Sequence, residues 1–149
     1  MTTTIADIPF QLPIVILALL LFISTILSAR SGWHRIATRF PYKKIGDPRK
    51  FYFVRMSLGS GSFPVAYGGC VFVRLSPHGL GLSVIFLFRY MHRPIFIPWS
   101  GVSRCVRETV RSDVTKISLH DENSVFSFYG KVGESIYETY LSENAKRES

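Results

Sequence analysis

Cysteine is scarce. Two thiols, Cys70 and Cys105, in 149 residues cannot staple a disulfide scaffold, and each sits in an apolar run where a small buried hydrophobe is the default. Metal-ligand spacing is also missing. His34, His78, His92 and His120 are scattered, with no Cys or carboxylate at ligand spacing, whereas a zinc site needs at least three converging donors. Gly59-Ser60-Gly61-Ser62 lacks the Lys-Ser/Thr pair and helix start of a phosphate loop. Gly79-Leu80-Gly81-Leu82 lacks the third glycine of a dinucleotide fingerprint. No Ser-His-acid or Cys-His constellation is readable, and Asp113, Asp121 and Glu122 read as solvated turn residues. The expectation is therefore a non-enzyme without cofactor or metal. Acids are few, ten against eighteen Lys and Arg, for a net charge of +8. Basic residues with interleaved aromatics occur, but no nucleic-acid motif does, so nucleic acid is not an expected partner. Hydrophobic residues make up 47% of the chain, which excludes disorder throughout.

The apolar excess is concentrated near the N-terminus. Ile14 to Leu27 reads IVILALLLFISTIL, with eleven of fourteen residues Ile, Val, Leu or Phe and none charged. At roughly −0.3 to −0.6 kcal/mol each, these residues favour insertion by several kcal/mol. Extended from Ile8 to Ala29 the stretch has 22 residues, with Gln11 as its strong polar interruption. At about 1.5 Å per residue it covers roughly 33 Å, enough for a ~30 Å hydrocarbon core. It shows no polar stripe of the kind a buried helix keeps. A cleaved signal peptide would carry Lys or Arg ahead of the run and small residues at a cleavage site. Here Asp7 is the one charge ahead, and Ile26 and Leu27 interrupt the small residues around Ser28 and Ala29. The expectation is an uncleaved single-pass anchor.

Arg30, Arg35, Arg39, Lys43, Lys44, Arg49 and Lys50 follow the run, opposed by Asp47 alone. The positive-inside rule then places the N-terminus outside and the remainder in the cytoplasm, at the inner (plasma) membrane. Free cysteines and the lack of an Asn-x-Ser/Thr sequon agree with a reducing compartment. Four segments result: a tail and transmembrane helix over 1–29, a basic amphipathic juxtamembrane segment over 30–50, a β-rich domain over 51–142, and a charged tail over 143–149. Trp33, Ile36, Ala37 and Phe40 recur at helical spacing, so the span is expected to continue as an amphipathic helix until Pro41. Trp33, Phe40 and Tyr42 suit an aromatic belt, and Arg30, Arg35 and Arg39 suit lipid phosphates.

From Phe51 the apolar period changes to alternation broken by Gly and Pro. Strands are expected at Phe51–Ser57, Val65–Leu75, Leu80–Tyr90, Ile95–Trp99, Val102–Arg111, Val114–His120 and Ser124–Tyr129. Ser76-Pro77-His78-Gly79 reads as a turn, with Pro at its second position and Gly at its fourth. Val132, Ile136, Tyr140 and Leu141 fall on one face of a final amphipathic helix. The fold class is mainly β: seven antiparallel strands in a bent barrel or sandwich, capped by a C-terminal helix and preceded by one transmembrane helix.

Seven strands and one helix resemble the pleckstrin-homology-like (PH-like) fold, most nearly in small bacterial single-pass membrane proteins. The residues that carry the resemblance are Ser76-Pro77-His78-Gly79-Leu80, Leu87-Phe88-Arg89 and above all Ile95-Phe96-Ile97-Pro98-Trp99-Ser100-Gly101-Val102. The resemblance covers about residues 50 to 142 and implies a module that binds lipids, peptides or proteins. In phosphoinositide-binding relatives cations crowd the first strand–strand loop, but Leu58–Pro64 has none.

Val84–Phe88 and Ile95–Ile97 are apolar on both strand faces. Such a hairpin is either covered by the domain's own segments or meets a partner protein, a second copy or the membrane. Residues 51–111 carry seven Lys/Arg against one acid, and residues 112–149 four against seven, so the domain is polarised. The leading expectation is a non-enzymatic accessory or scaffolding subunit of an integral membrane complex. It would contact partners through its span and through Phe86, Phe88, Phe96 and Trp99. The alternative is an anionic-lipid reader using Arg89, His92, Arg93 and Arg104.

Overall fold

The computed structural model describes residues 11–59, 64–120 and 123–148. The chain opens with helix α1 (Gln11–Ser31) and a short helix α2 (Trp33–Arg39). By length and composition α1 has what a membrane span or a signal sequence has. Its large apolar side chains from Leu12 to Ile26 stand 38–64% exposed, so most of it is not a core helix of the β unit. The two helices are not continuous as expected. Gly32 between them is left-handed (φ 79°), a conformation that costs a side chain about 1–2 kcal/mol, and the chain turns there.

That turn delivers Trp33 and Ile36 into the β domain, where both are fully buried. Trp33 is therefore a core residue rather than an exposed belt residue. Its indole Nε1 donates to the Arg93 carbonyl at 2.8 Å, and its ring packs against Tyr67 and His92 at 5.7 and 5.4 Å. The segment expected to be juxtamembrane supplies part of the domain's core.

Seven strands follow: β1 (Arg49–Gly59), β2 (Val65–Leu75), β3 (Gly79–Val84), β4 (Ile95–Pro98), β5 (Val102–Glu108), β6 (Val114–Leu119) and β7 (Val125–Tyr129). They form one antiparallel sheet in the order β4-β3-β2-β1-β7-β6-β5. The edge strands β4 and β5 are consecutive in the chain, joined by a 3-10 turn at Trp99–Gly101. So short a link keeps those strand ends within roughly 14 Å, and the sheet must curl into a half-barrel. A double register break around Val54 helps: Phe53 (φ 54°) and Gly69 (φ 76°) face each other across a bulge that bends the longest hairpin. Val71, Val73 and Leu75 of β2 and Leu80, Leu82 and Val84 of β3 line the concave side with Phe126 and Phe128.

The turn Ser76–Gly79 forms as its residue types require. The Ser76 hydroxyl accepts from the amides of His78 and Gly79, each at 3.2 Å, and its carbonyl accepts from Trp99 Nε1 at 3.2 Å. The third expected strand is shorter than Leu80–Tyr90. It stops at Val84, and Phe86–Phe88 is a 3-10 turn. The last helix, α3 (Lys131–Glu148), takes in most of the expected charged tail. Its Ile136 is buried, and Tyr140 meets Trp99 at 6.0 Å.

Candidate functional site

The most organised polar feature is the junction of α1 with the β domain. Ser24, Ser28 and Ser31 recur at i, i+4 and i+7, one face of a helix, and all three are buried. The last turns of α1 thus have a polar stripe after all, which the surrounding Leu and Ile obscure in the sequence. The Ser28 hydroxyl donates to the Met91 carbonyl at 2.8 Å. Ser24 Oγ lies 3.3 Å from His92 Nδ1, and Ser31 Oγ 3.0 Å from the Tyr67 hydroxyl. Ser124 reaches back from the start of β7 to the Ser31 carbonyl at 3.4 Å.

The direction of this chain follows from donor and acceptor types. His92 Nδ1 sits 3.2 Å from the Phe88 carbonyl, which can only accept, so Nδ1 carries the proton. Nε2 then accepts from the Tyr67 hydroxyl at 3.0 Å, and the Tyr67 oxygen lies 3.0 Å from Ser31 Oγ, whose one proton is shared between it and the Ser28 carbonyl at 3.3 Å. Every member is paired, as a buried network must be. Burial lowers the His92 pKa, opposed by its bond to the Phe88 carbonyl. Burial also raises the Tyr67 hydroxyl to about 12. Both groups are therefore neutral near pH 7 and hydrogen-bonded to each other. Beside them Leu27, Ala66, Cys70, Val84 and Phe88 border a small apolar cavity of about 110 Å³.

The residues expected to bind a partner are split by the fold. Phe96 and Trp99 are buried at 9% and 3% exposure and offer little surface of their own to a partner. The N-terminal arm covers the β4 side of the hairpin. The Phe40–Pro41 backbone lies along β4, with the Phe96 amide donating to the Phe40 carbonyl at 3.3 Å. Gly79 makes room for the Phe96 ring, since a Cβ there would come within 2.8 Å of it. Phe88 is half-buried against the core, and Phe86 remains 76% exposed.

The residues expected at lipid are split as well. Arg30, Arg35, Arg39, Arg89, Arg93 and Arg104 are exposed, whereas Trp33 and His92 are buried in the junction. Desolvating an imidazolium there would cost more than a surface contact returns, so His92 is not a surface cation. Arg104 lines a separate cleft on β5 and β6 with Glu108 and Lys116, and does not join Arg89. Arg89 instead shares a cleft with Tyr42, expected in an aromatic belt, and with Arg74 and Ser83, which the sequence did not single out. An exposed aromatic group on β1, Tyr52 and Phe53 around Phe72, also escaped notice. The Gly59–Pro64 loop falls largely outside the described residues, as do Asp121 and Glu122.

No family model matches the sequence, and no curated protein matches it. Among solved structures, the C-terminal domain of an unknown protein from Leishmania infantum is similar at 11% identity and a TM-score of 0.42, over 60% of this chain and 78% of that one. A likeness of that size carries no argument about function.

Proposed function

We propose that the chain is a non-enzymatic, single-pass membrane protein whose PH-like β domain is fastened to the inner surface of the bilayer and serves there as an accessory subunit of a membrane complex. One observation carries this reading. Ser24, Ser28 and Ser31 of α1 are buried hydrogen-bonding partners of Met91, His92 and Tyr67. A leader that is cut away takes no part in the mature fold. Removal of α1 through Ser28 would take the Ser24 hydroxyl from His92 Nδ1 and the Ser28 hydroxyl from the Met91 carbonyl, at about 0.5–1.5 kcal/mol for each hydrogen bond lost.

The docked turns also set the depth of the domain. In this reading the docked turns Ser24–Ser31 end the span, and the junction sits in the interfacial layer. The loop between β3 and β4 would go with it, and its exposed Phe86 and Tyr90 suit a layer where aromatic side chains are favoured. With Phe96 and Trp99 buried, partner contacts fall to the bare face of α1 and to Phe86. The second reading, an anionic-lipid-binding module, draws support from charge: residues 48–107 contain no Asp or Glu.

The test is the intact mass and carbonate extractability of the full chain from its native membrane. An uncleaved, carbonate-resistant protein is expected, with a reporter fused after Ser149 active on the cytoplasmic side. A mature chain beginning near Arg30 overturns the proposal.

A further inference from the structure

On the convex side of the sheet, Arg74 of β2, Ser83 of β3, Arg89 of the β3–β4 loop and Tyr42 of the N-terminal arm converge on a cleft of about 210 Å³. Gly81 contributes no side chain to fill it, and none of its lining residues is acidic. Two guanidinium groups thus share a concave site without a carboxylate to neutralise them.

The repulsion is reinforced across the strands. Lys50 is the direct antiparallel partner of Arg74, so two cations project from the same face of neighbouring strands. Directly opposed like charges cost stability. Arg74 is nevertheless held in place. Its Nη1 donates to the Tyr42 hydroxyl at 2.6 Å, and its Cζ lies 5.9 Å from the centre of that ring. Because Tyr42 accepts from Arg74, its own O–H proton is free to point elsewhere. The site offers guanidinium, phenol and hydroxyl donors and no charged acceptor. That is a complement for a tetrahedral oxyanion, which takes several charge-assisted hydrogen bonds at once. The volume lies below the roughly 300–1,000 Å³ of a pocket for a drug-sized molecule, which selects a small group.

We propose that this cleft binds the phosphate group of an anionic ester, through Arg74 and Arg89 with Tyr42 and Ser83. The chemistry of the cleft stands without the membrane reading. The source of the phosphate rests on it: Met91 and His92, next to Arg89 in the chain, bond to α1, which would set the cleft level with phospholipid headgroups. A soluble phosphate ester is the other source of the same group.

The full chain in a neutral detergent is titrated with inorganic phosphate at constant ionic strength, with the thermal midpoint as readout. The same protein in nanodiscs of phosphatidylcholine and phosphatidylglycerol is then analysed for retained lipid by native mass spectrometry. Phosphate should stabilise the wild type, and Arg74→Gln or Arg89→Gln should each weaken its apparent affinity about tenfold. Arg111→Gln, the same charge change outside the cleft, should not. Ser83→Ala, a mild surface change, should weaken it about threefold and decides the matter if an arginine variant fails to fold. Phosphatidylglycerol enriched by the wild type but not by the variants identifies a lipid source. Equal enrichment with a variant-sensitive phosphate titration identifies a soluble one. Variants that respond to phosphate as the wild type does, or a wild type unmoved by either probe, overturn the proposal. The detergent arm needs no bilayer, so an empty cleft and a lost anchor give different results.

Discussion

Burial holds the His92 imidazole below its ordinary pKa of 6.5. The folded domain keeps the ring neutral between Phe88 and Tyr67, while the unfolded chain takes up a proton near the ordinary value. His92 therefore adds stability in full above 6.5, and that contribution is lost as pH falls from there towards the lower folded value. Thermal midpoints of the full chain in detergent should drop between pH 7.5 and 5.5, and His92→Gln should flatten the drop. A second expectation concerns Cys105, whose thiol burial pushes up to about 12. At pH 8 its thiolate fraction is on the order of 10⁻⁴, and only the thiolate is nucleophilic. Iodoacetamide should label Cys105 far more slowly in the native protein than in denaturant. Comparable rates would show that the β5 face opens freely.

At the scale of elements, α3 approaches the sheet as closely as it does because Gly133 has no side chain. A Cβ there would come within 2.7 Å of the Phe128 carbonyl and 2.8 Å of Thr115 Oγ1. Gly133→Ala must push the helix away and should cost about 1–3 kcal/mol in chemical denaturation, like other overpacked contacts. A neutral outcome would mean that α3 is loosely seated. The strands themselves were largely readable. Val65–Leu75 is a strand to the residue because one face alternates cleanly, and Ser76–Gly79 turns because Pro and Gly fall where a turn needs them. The error at Ile85–Tyr90 has a physical source. In that run Phe88 packs against the core while Phe86 and Tyr90 stand exposed, and periodicity cannot tell such a turn from a strand covered on both faces. The junction and the cleft were hidden by distance along the chain. Tyr67 meets His92 across 25 positions and Ser24 meets it across 68, and Arg74 meets Tyr42 across 32. Pattern along one segment does not report such meetings.

Taken whole, the β unit cannot be separated from the arm that precedes it. Trp33 and Ile36 are fully buried, Ala37 nearly so, and the Phe40–Pro41 backbone shields the edge of β4. A fragment of residues 45–149, which looks like a tidy soluble domain by composition, lacks all of these. Loss of a buried Trp alone costs about 3–5 kcal/mol, a large share of a small domain's stability. That fragment should show no cooperative thermal transition, whereas residues 30–149 should retain one. A cooperative 45–149 fragment would show that the arm is an accessory to the core rather than part of it.

The placement of Trp33 and Ile36 bears on how such a protein ends its life. Lys43 and Lys44 are exposed on the stretch joining α2 to β1, an open invitation to a trypsin-like protease. A cut there would leave Trp33 and Ile36 and the strands they pack against on opposite sides of the nick, joined by packing alone. Separating the β unit from its helices would pull out its own keystone, so the liberated fragment would be short-lived, and turnover could begin with one scission.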